Sequence, residues 1–343
     1  MFQRFHVQPN ESIQEWMTTA GLDWKVQRRK LFMRCQPNDQ HAECEIDHHA
    51  IVRATDGRVF QVASKDYVPA QNERMLEDFR HCAEAGELPI EAVGHAKGGA
   101  IVWALAKAGD SFTLPGDDKV DSYILFGNSH DGSISYKATS TTVRPVCENT
   151  LAMALKAVGG DSLFAFKHTR QLDDGLKMEM RRKMKELMRE HSNAMYQFSE
   201  KASKLAEVKT ESQAQVRQYI LQLVNPGLLN SILEKTQAVM LAGSVVDAMI
   251  AATESSKVER ELNEANLGRV GSAILDSIIE SPGSELPSAA GTWWGVLNGV
   301  THYVDHVAGR NEDTRLTAAW FGQRANLKQN ALELAVQYAG GVN

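Results

Sequence analysis

Residues 90–106 read IEAVGHAKGGAIVWALA, and residues 123–143 read YILFGNSHDGSISYKATSTTV. Each stretch is two apolar runs divided by a short polar turn: Lys97-Gly98-Gly99 in the first, Ser129-His130-Asp131-Gly132 in the second. Glycine adopts positive φ without steric cost, so such turns reverse the chain within a few residues. Connections this short exclude a parallel crossover, and both stretches are therefore antiparallel hairpins.

Working outward, Ile46, His48, Ala50 and Val52 alternate toward Asp56-Gly57, and Val59 to Ala63 resume, giving another hairpin. Pro69 to Asn72 lead into a helix with Met75, Leu76, Phe79 and Cys82 at helical spacing, ending near Gly86. Asn10-Glu11-Ser12 has helix-start chemistry ahead of Trp16, Met17 and Ala20. On the far side Pro145 ends the last strand, and Glu148, Asn149 and Thr150 predict a cap for a helix from Leu151 to Val158.

After residue 170 the period changes. Leu176, Met180, Met184, Leu187, His191, Ala194, Phe198, Ala202 and Leu205 recur in steps of three and four, the stripe of a long amphipathic helix. Helical stretches follow at Leu228–Ala252 and Glu259–Ile279, broken by Pro282-Gly283-Ser284 and Pro287, then at Thr292–Ala308 and Leu316–Ala339. The fold class is α+β: an antiparallel sheet of hairpins with packed helices, followed by a long, mainly α-helical C-terminal half. The expected units are a helical or irregular segment over 1–45, an α+β core over 46–160 and a helical region over 161–343.

With 343 residues, 43% of them hydrophobic, the chain can bury a sizeable core. It holds no run of about 18 apolar residues, and Met1 to His6 lack the layout of a secretory signal, so no membrane is expected and the cytoplasm is the expected location. Four scattered cysteines form no disulfide framework, and reduced thiols fit that compartment. The net charge is −6 and the pI about 6.0, which weighs against a dedicated duplex binder. The charge is uneven: −4 over 1–160, +3 over 161–209, −5 over 210–290 and 0 beyond.

Cys35, His41, Cys44, His48 and His49 crowd together, but at irregular spacings that no tetrahedral zinc motif uses, and no metal or cofactor is expected. Gly94 to Gly99 lacks the spacing and the GK[ST] ending of a phosphate loop and lies between strands, so a hairpin turn accounts for it. The polar loop Asn128 to Gly132 holds His130 beside Asp131; either it is an acid/base pair or Asp131 simply bonds its own turn. Cys147 reads as a buried thiol, and Arg144 as a surface anion contact or an internal salt-bridge partner. Arg181, Arg182, Lys183, Lys185 and Arg189 concentrate positive charge on the long helix, where Glu179, Glu186 and Glu190 balance part of it.

Five ordered motifs carry a resemblance: Asp66 to Asn72, Gly94 to Gly99, Asn128 to Ser133, Arg144 to Leu151, and Ala318 to Lys328. Together they resemble the phage/plasmid-like protein family, a domain of unknown function carried by phages, plasmids and bacterial mobile elements, from about residue 45 to the end. The resemblance implies a role in replication, recombination or conflict with the host, and it supplies no catalytic residues. The layout is also similar to that of phage single-strand annealing proteins, which oligomerise and hold a DNA strand along a basic groove.

These readings lead to a non-enzymatic, homo-oligomeric protein that binds single-stranded DNA and supports annealing or recombination. Arg53, Arg58, Lys65, Lys97, Arg144, Arg181, Arg182, Lys183 and Lys185 would hold the backbone, and Tyr67 would stack bases. One alternative is a module that inhibits a host defence or replication protein, using the Met-rich helix of Met178, Met180, Met184, Met188 and Met195 for adaptable contacts. Another is a hydrolase using His130 and Asp131.

Overall fold

The computed structural model describes residues 5–34, 43–152, 165–166, 174–237 and 256–340. The chain opens with strand β1 (Phe5–His6) and helix α1 (Ile13–Thr19). Ser12 caps α1: its hydroxyl accepts from the Glu15 amide at 3.2 Å, while the Glu15 carboxylate accepts from the Ser12 amide at 2.6 Å. Strands β2 (Val26–Arg34), β3 (Glu43–Arg53) and β4 (Val59–Ser64) then form a three-stranded antiparallel sheet in that order. Helix α2 (Asn72–Ala85) leads into the main sheet.

The main sheet is built from the two quoted hairpins. β5 (Ile90–Ala96), β6 (Ile101–Leu114), β7 (Asp118–Ser129) and β8 (Tyr136–Arg144) run antiparallel in sequence order, and β1 pairs with the outer edge of β5. β9 (Asn149–Ala152) and β10 (Ala165–Phe166) both pair with β8, at its opposite ends. Strands β6 and β7 extend well past the apolar runs, to a turn where Gly116 and Asp117 both take positive φ.

The apolar run of β6 has a physical cause: both faces of the sheet are covered. Val102, Ala104 and Ala106 share one core with Phe126 of β7, Met75, Leu76 and Phe79 of α2, and Met184 and Leu187 of α3 (Asp174–Glu207). Ile101, Trp103 and Leu105 point the other way, into a core with Val304, Ala319 and Trp320 near the C-terminus. A third core gathers the helices α4 (Gln213–Val224), α5 (Pro226–Gln237), α6 (Gly268–Glu280), α7 (Trp293–His302) and α9 (Gln323–Tyr338); α8 (Glu312–Phe321) lies between the last two. Helix α3 is long enough to serve two cores, with Met184 and Leu187 in the first and Met195, Phe198, Ala202 and Leu205 in the third.

The α+β class, the hairpins and the long helix stand as expected. Three local expectations do not. Leu151 and Ala152 belong to β9 rather than to a capped helix, because the open edge of β8 takes them as a strand; Met153 to Val158 lie outside the described residues. Residues before 45 include β1, an edge of the main sheet, and β2, an edge of the three-stranded sheet. Cys44 is disulfide-bonded, against the expectation of four reduced thiols, while Cys82 and Cys147 are free and buried. Among the described residues no helix is long and apolar enough to cross a membrane.

Candidate functional site

Three of the five motifs meet at one corner of the main sheet. Asn72, the first residue of α2, places its Oδ1 2.8 Å from His130 Nε2, and its Nδ2 donates to the carbonyls of Leu22 and Trp24. The His130 ring stacks on Phe60 at 5.3 Å and meets the edge of Trp24 at 5.5 Å. Gln61 Nε2 donates to the His130 carbonyl at 2.8 Å. Asp131 points elsewhere: it accepts from the amide and hydroxyl of Ser133 and lies 3.4 Å from Lys97 Nζ. His130 is buried in an aromatic box and Asp131 closes its own turn, so the adjacent pair does not form an acid/base couple.

The cations expected here are largely engaged. Arg53 lies over the Trp24 ring at 5.0 Å, pairs with Asp56 at 3.1 Å and donates to the Gly98 carbonyl at 3.0 Å. Arg58 donates to the Lys97 carbonyl at 3.0 Å, and its guanidinium fills the space where a Cβ on Gly98 would stand. The β3–β4 turn is thus stapled to the Lys97-Gly98-Gly99 turn. Lys65 pairs with Asp47 at 3.1 Å across exposed side chains. Tyr67 is partly buried against the first core, and that burial raises its pKa.

The other two motifs meet on the opposite face. Arg144 is buried, and its Nε and one terminal nitrogen donate to the two oxygens of Asp118 at 2.6 and 2.8 Å. Ser288 and Trp294 complete the carboxylate at 2.6 and 2.9 Å. Arg144 is therefore an internal salt-bridge partner and not a surface anion contact. Cys147 packs beside it, and burial pushes its thiol pKa up, which makes it a poor nucleophile.

Next to this cluster, Lys328 is buried, donating to Asp305 at 2.9 Å and to the carbonyl and hydroxyl of Thr150 at 2.7 and 2.9 Å. Trp320 Nε1 donates to the same hydroxyl at 3.1 Å, and the Thr150 amide donates to Asp305 at 2.7 Å. The strand after Arg144 is thus held by the C-terminal motif. Between the two clusters lies a cavity of about 20 Å³, room for roughly one water, lined by Thr142, Asn149, Asn298 and Thr301.

A further cluster escaped the sequence reading. His191, on the apolar stripe of α3, is fully buried against the sheet. Its Nδ1 is bonded to Ser140 Oγ, its Nε2 lies 3.1 Å from Ser122 Oγ and 3.8 Å from Asp110 Oδ2. The order Ser–His–Asp resembles a nucleophilic triad, but Ser140 is fully buried beneath α3 and no substrate carbonyl can reach it. Burial lowers the His191 pKa, so the ring is neutral and docks α3 on the sheet through hydroxyls. Only the serines on β7 and β8 facing that helix turn would have signalled it.

What stays accessible is the outer face of α3. Met178, Arg182, Lys185, Arg189, Asn193 and Tyr196 follow one another in steps of three or four, so they form one row, and all six are exposed. Tyr196 is 67% exposed and Met178 72%. Arg182 has a loose i,i+4 pair with Glu186 at 3.7 Å; Lys185 and Arg189 form no ion pair among the described residues. Arg181 is exposed on the flank, whereas Lys183 is turned toward Glu179 at 4.0 Å. Most of the Met-rich set faces inward: Met184 and Met195 are buried and Met188 is partly so. Met180 is not described at the side chain.

Of the crowded cysteines and histidines between Cys35 and His49, Cys35 and His41 lie outside the described residues, and no group of three His, Cys, Asp or Glu side chains among the described residues is arranged to hold a metal. No curated protein and no solved structure matches this chain. A family model does, over residues 59–320, a span that takes in Asn72, His130, the Asp118–Arg144 pair and α3, and the chain belongs to that family, the Domain of unknown function (DUF932).

Proposed function

We propose that the protein is a non-enzymatic, oligomeric single-strand DNA-binding protein of a phage or plasmid, acting from the cytoplasm in strand annealing or recombination. The observation that carries this reading is the row on α3. Arg182, Lys185 and Arg189 offer three cations at helical spacing to a phosphate backbone, and the exposed ring of Tyr196 continues the row as a stacking platform. The backbone of a helix already fixed by two cores loses little further freedom when a phosphate arrives, so only the side chains are ordered on binding. The engaged cations Arg53, Arg58 and Lys97 are assigned to holding the corner together, and Arg144 to the interior.

The resemblance to mobile-element proteins supports the same reading, and the overall acidity limits it to a local patch. Three phosphate contacts on a single strand correspond to a slope of about −2 in log K against log salt. Reversing charge in Arg182→Glu, Lys185→Glu and Arg189→Glu together is expected to weaken binding of a labelled oligonucleotide at least tenfold with unfolding unchanged. Unaltered affinity removes α3 from the proposal.

A second reading rests on the ribbon of β2 and β3 beyond β4. There Phe32 and Met33 are 53% and 55% exposed, as suits a protein partner. Under that reading a host protein is retained from lysate after nuclease treatment, and Phe32→Ser releases it.

A further inference from the structure

Helix α7 runs into a turn wound as a π-helix over Tyr303–Val307. Bonding from i to i+5 widens the turn, and such insertions concentrate at functional sites. Here the turn brings His302 and His306 together, with ring centroids 4.9 Å apart and 34° between the ring planes. Both rings are half-buried at the surface of the C-terminal region. His302 Nδ1 is buried and meets no hydrogen-bond partner. A buried polar atom in that state is unfavourable unless something outside the chain completes it.

The rings are prepared in other respects. His306 bonds the backbone carbonyl of Cys147, the kind of contact that fixes a histidine tautomer and aims its other nitrogen. Neutral imidazoles are the form that ligates zinc, copper and nickel.

We infer that His302 and His306 form a two-imidazole chelate for a divalent transition-metal ion, with zinc as the reference ligand. The site departs from the sequence expectation of no metal. Asp305, between the two histidines in sequence, does not join it, because its oxygens are taken by Lys328 and Thr150. With no third His, Cys, Asp or Glu in place among the described residues, the remaining positions fall to water or to an incoming ligand. Glu148, exposed and at positive φ, has a charge felt at His306 and is the carboxylate best placed to be drawn in.

The test is calorimetric titration of the full chain, stripped with chelator, with zinc chloride. Binding at one site is expected, weakened at least tenfold by His302→Gln or His306→Gln and unchanged by His48→Gln with His49→Gln. Should a glutamine variant fail to fold, pulsed electron paramagnetic resonance of the unaltered chain with one equivalent of copper(II) reads the ligands directly, and coupling to two imidazoles is expected. The inference is overturned by no binding of zinc at about 1 mM, by glutamine variants that fold and bind as tightly as the parent, or by copper spectra with fewer than two imidazoles.

Discussion

Asp118 and Arg144 show how single residues decide the interior. A carboxylate and a guanidinium removed from water are tolerated only with near-complete partnering, and here Ser288, Trp294 and the Gly283 carbonyl supply the rest. Asp118→Ala leaves the Arg144 charge buried and alone, and urea unfolding is expected to show a loss of about 3–5 kcal/mol. The histidines make a second prediction, about pH. In His191 and His302 burial lowers the folded-state pKa below the ordinary 6.5, so the unfolded chain binds more protons below that value. Stability measured in chelator should therefore fall as pH drops from about 6.5 toward the folded value, which is about 4 for His302, and His302→Gln should flatten part of the slope. Little of this was legible in the sequence. Arg144 had two readings there, and His191 was only a polar member of an apolar stripe, because a buried polar partner across a sheet leaves no local pattern.

Elements were legible where both their faces have one environment along their length. The doubly covered strands of the main sheet and the stripe of α3 are of this kind. β2 was missed because its exposed ribbon carries Arg28, Arg29, Lys30 and Arg34 with no buried face to impose alternation. β9 was read as a helix because Asn149 and Thr150 are good capping residues; their polar groups instead meet Asn298, Asp305 and Lys328, which lie far along the chain. Helix α3 separates its two faces cleanly, which gives a paired prediction. Leu187→Ala on the buried face should lower stability by about 2–5 kcal/mol. Arg189→Glu on the exposed face should stay within about 0.5 kcal/mol of the parent in unfolding while weakening oligonucleotide binding.

For the molecule as a whole, five separate motifs resolve into two clusters on opposite faces of one sheet, and both clusters are mostly interior. Packing explains the residue types at such places: Asn72 with His130 fixes α2 against the hairpin ends, and Thr150 with Lys328 fixes the C-terminal helices against β8. The positions that the motifs mark are consequently poor guides to a binding surface. The basic row of α3 is exposed and lies outside every motif that carried the resemblance. The measurement that tests this account most directly is fluorescence anisotropy of a labelled single strand and its matching duplex at two salt concentrations, with the parent and the Arg182/Lys185/Arg189 charge reversal side by side. Preference for the single strand, steep weakening with salt, and loss of both in the reversed protein are expected. Equal binding by the two proteins, or no binding by the parent at low salt, would contradict it.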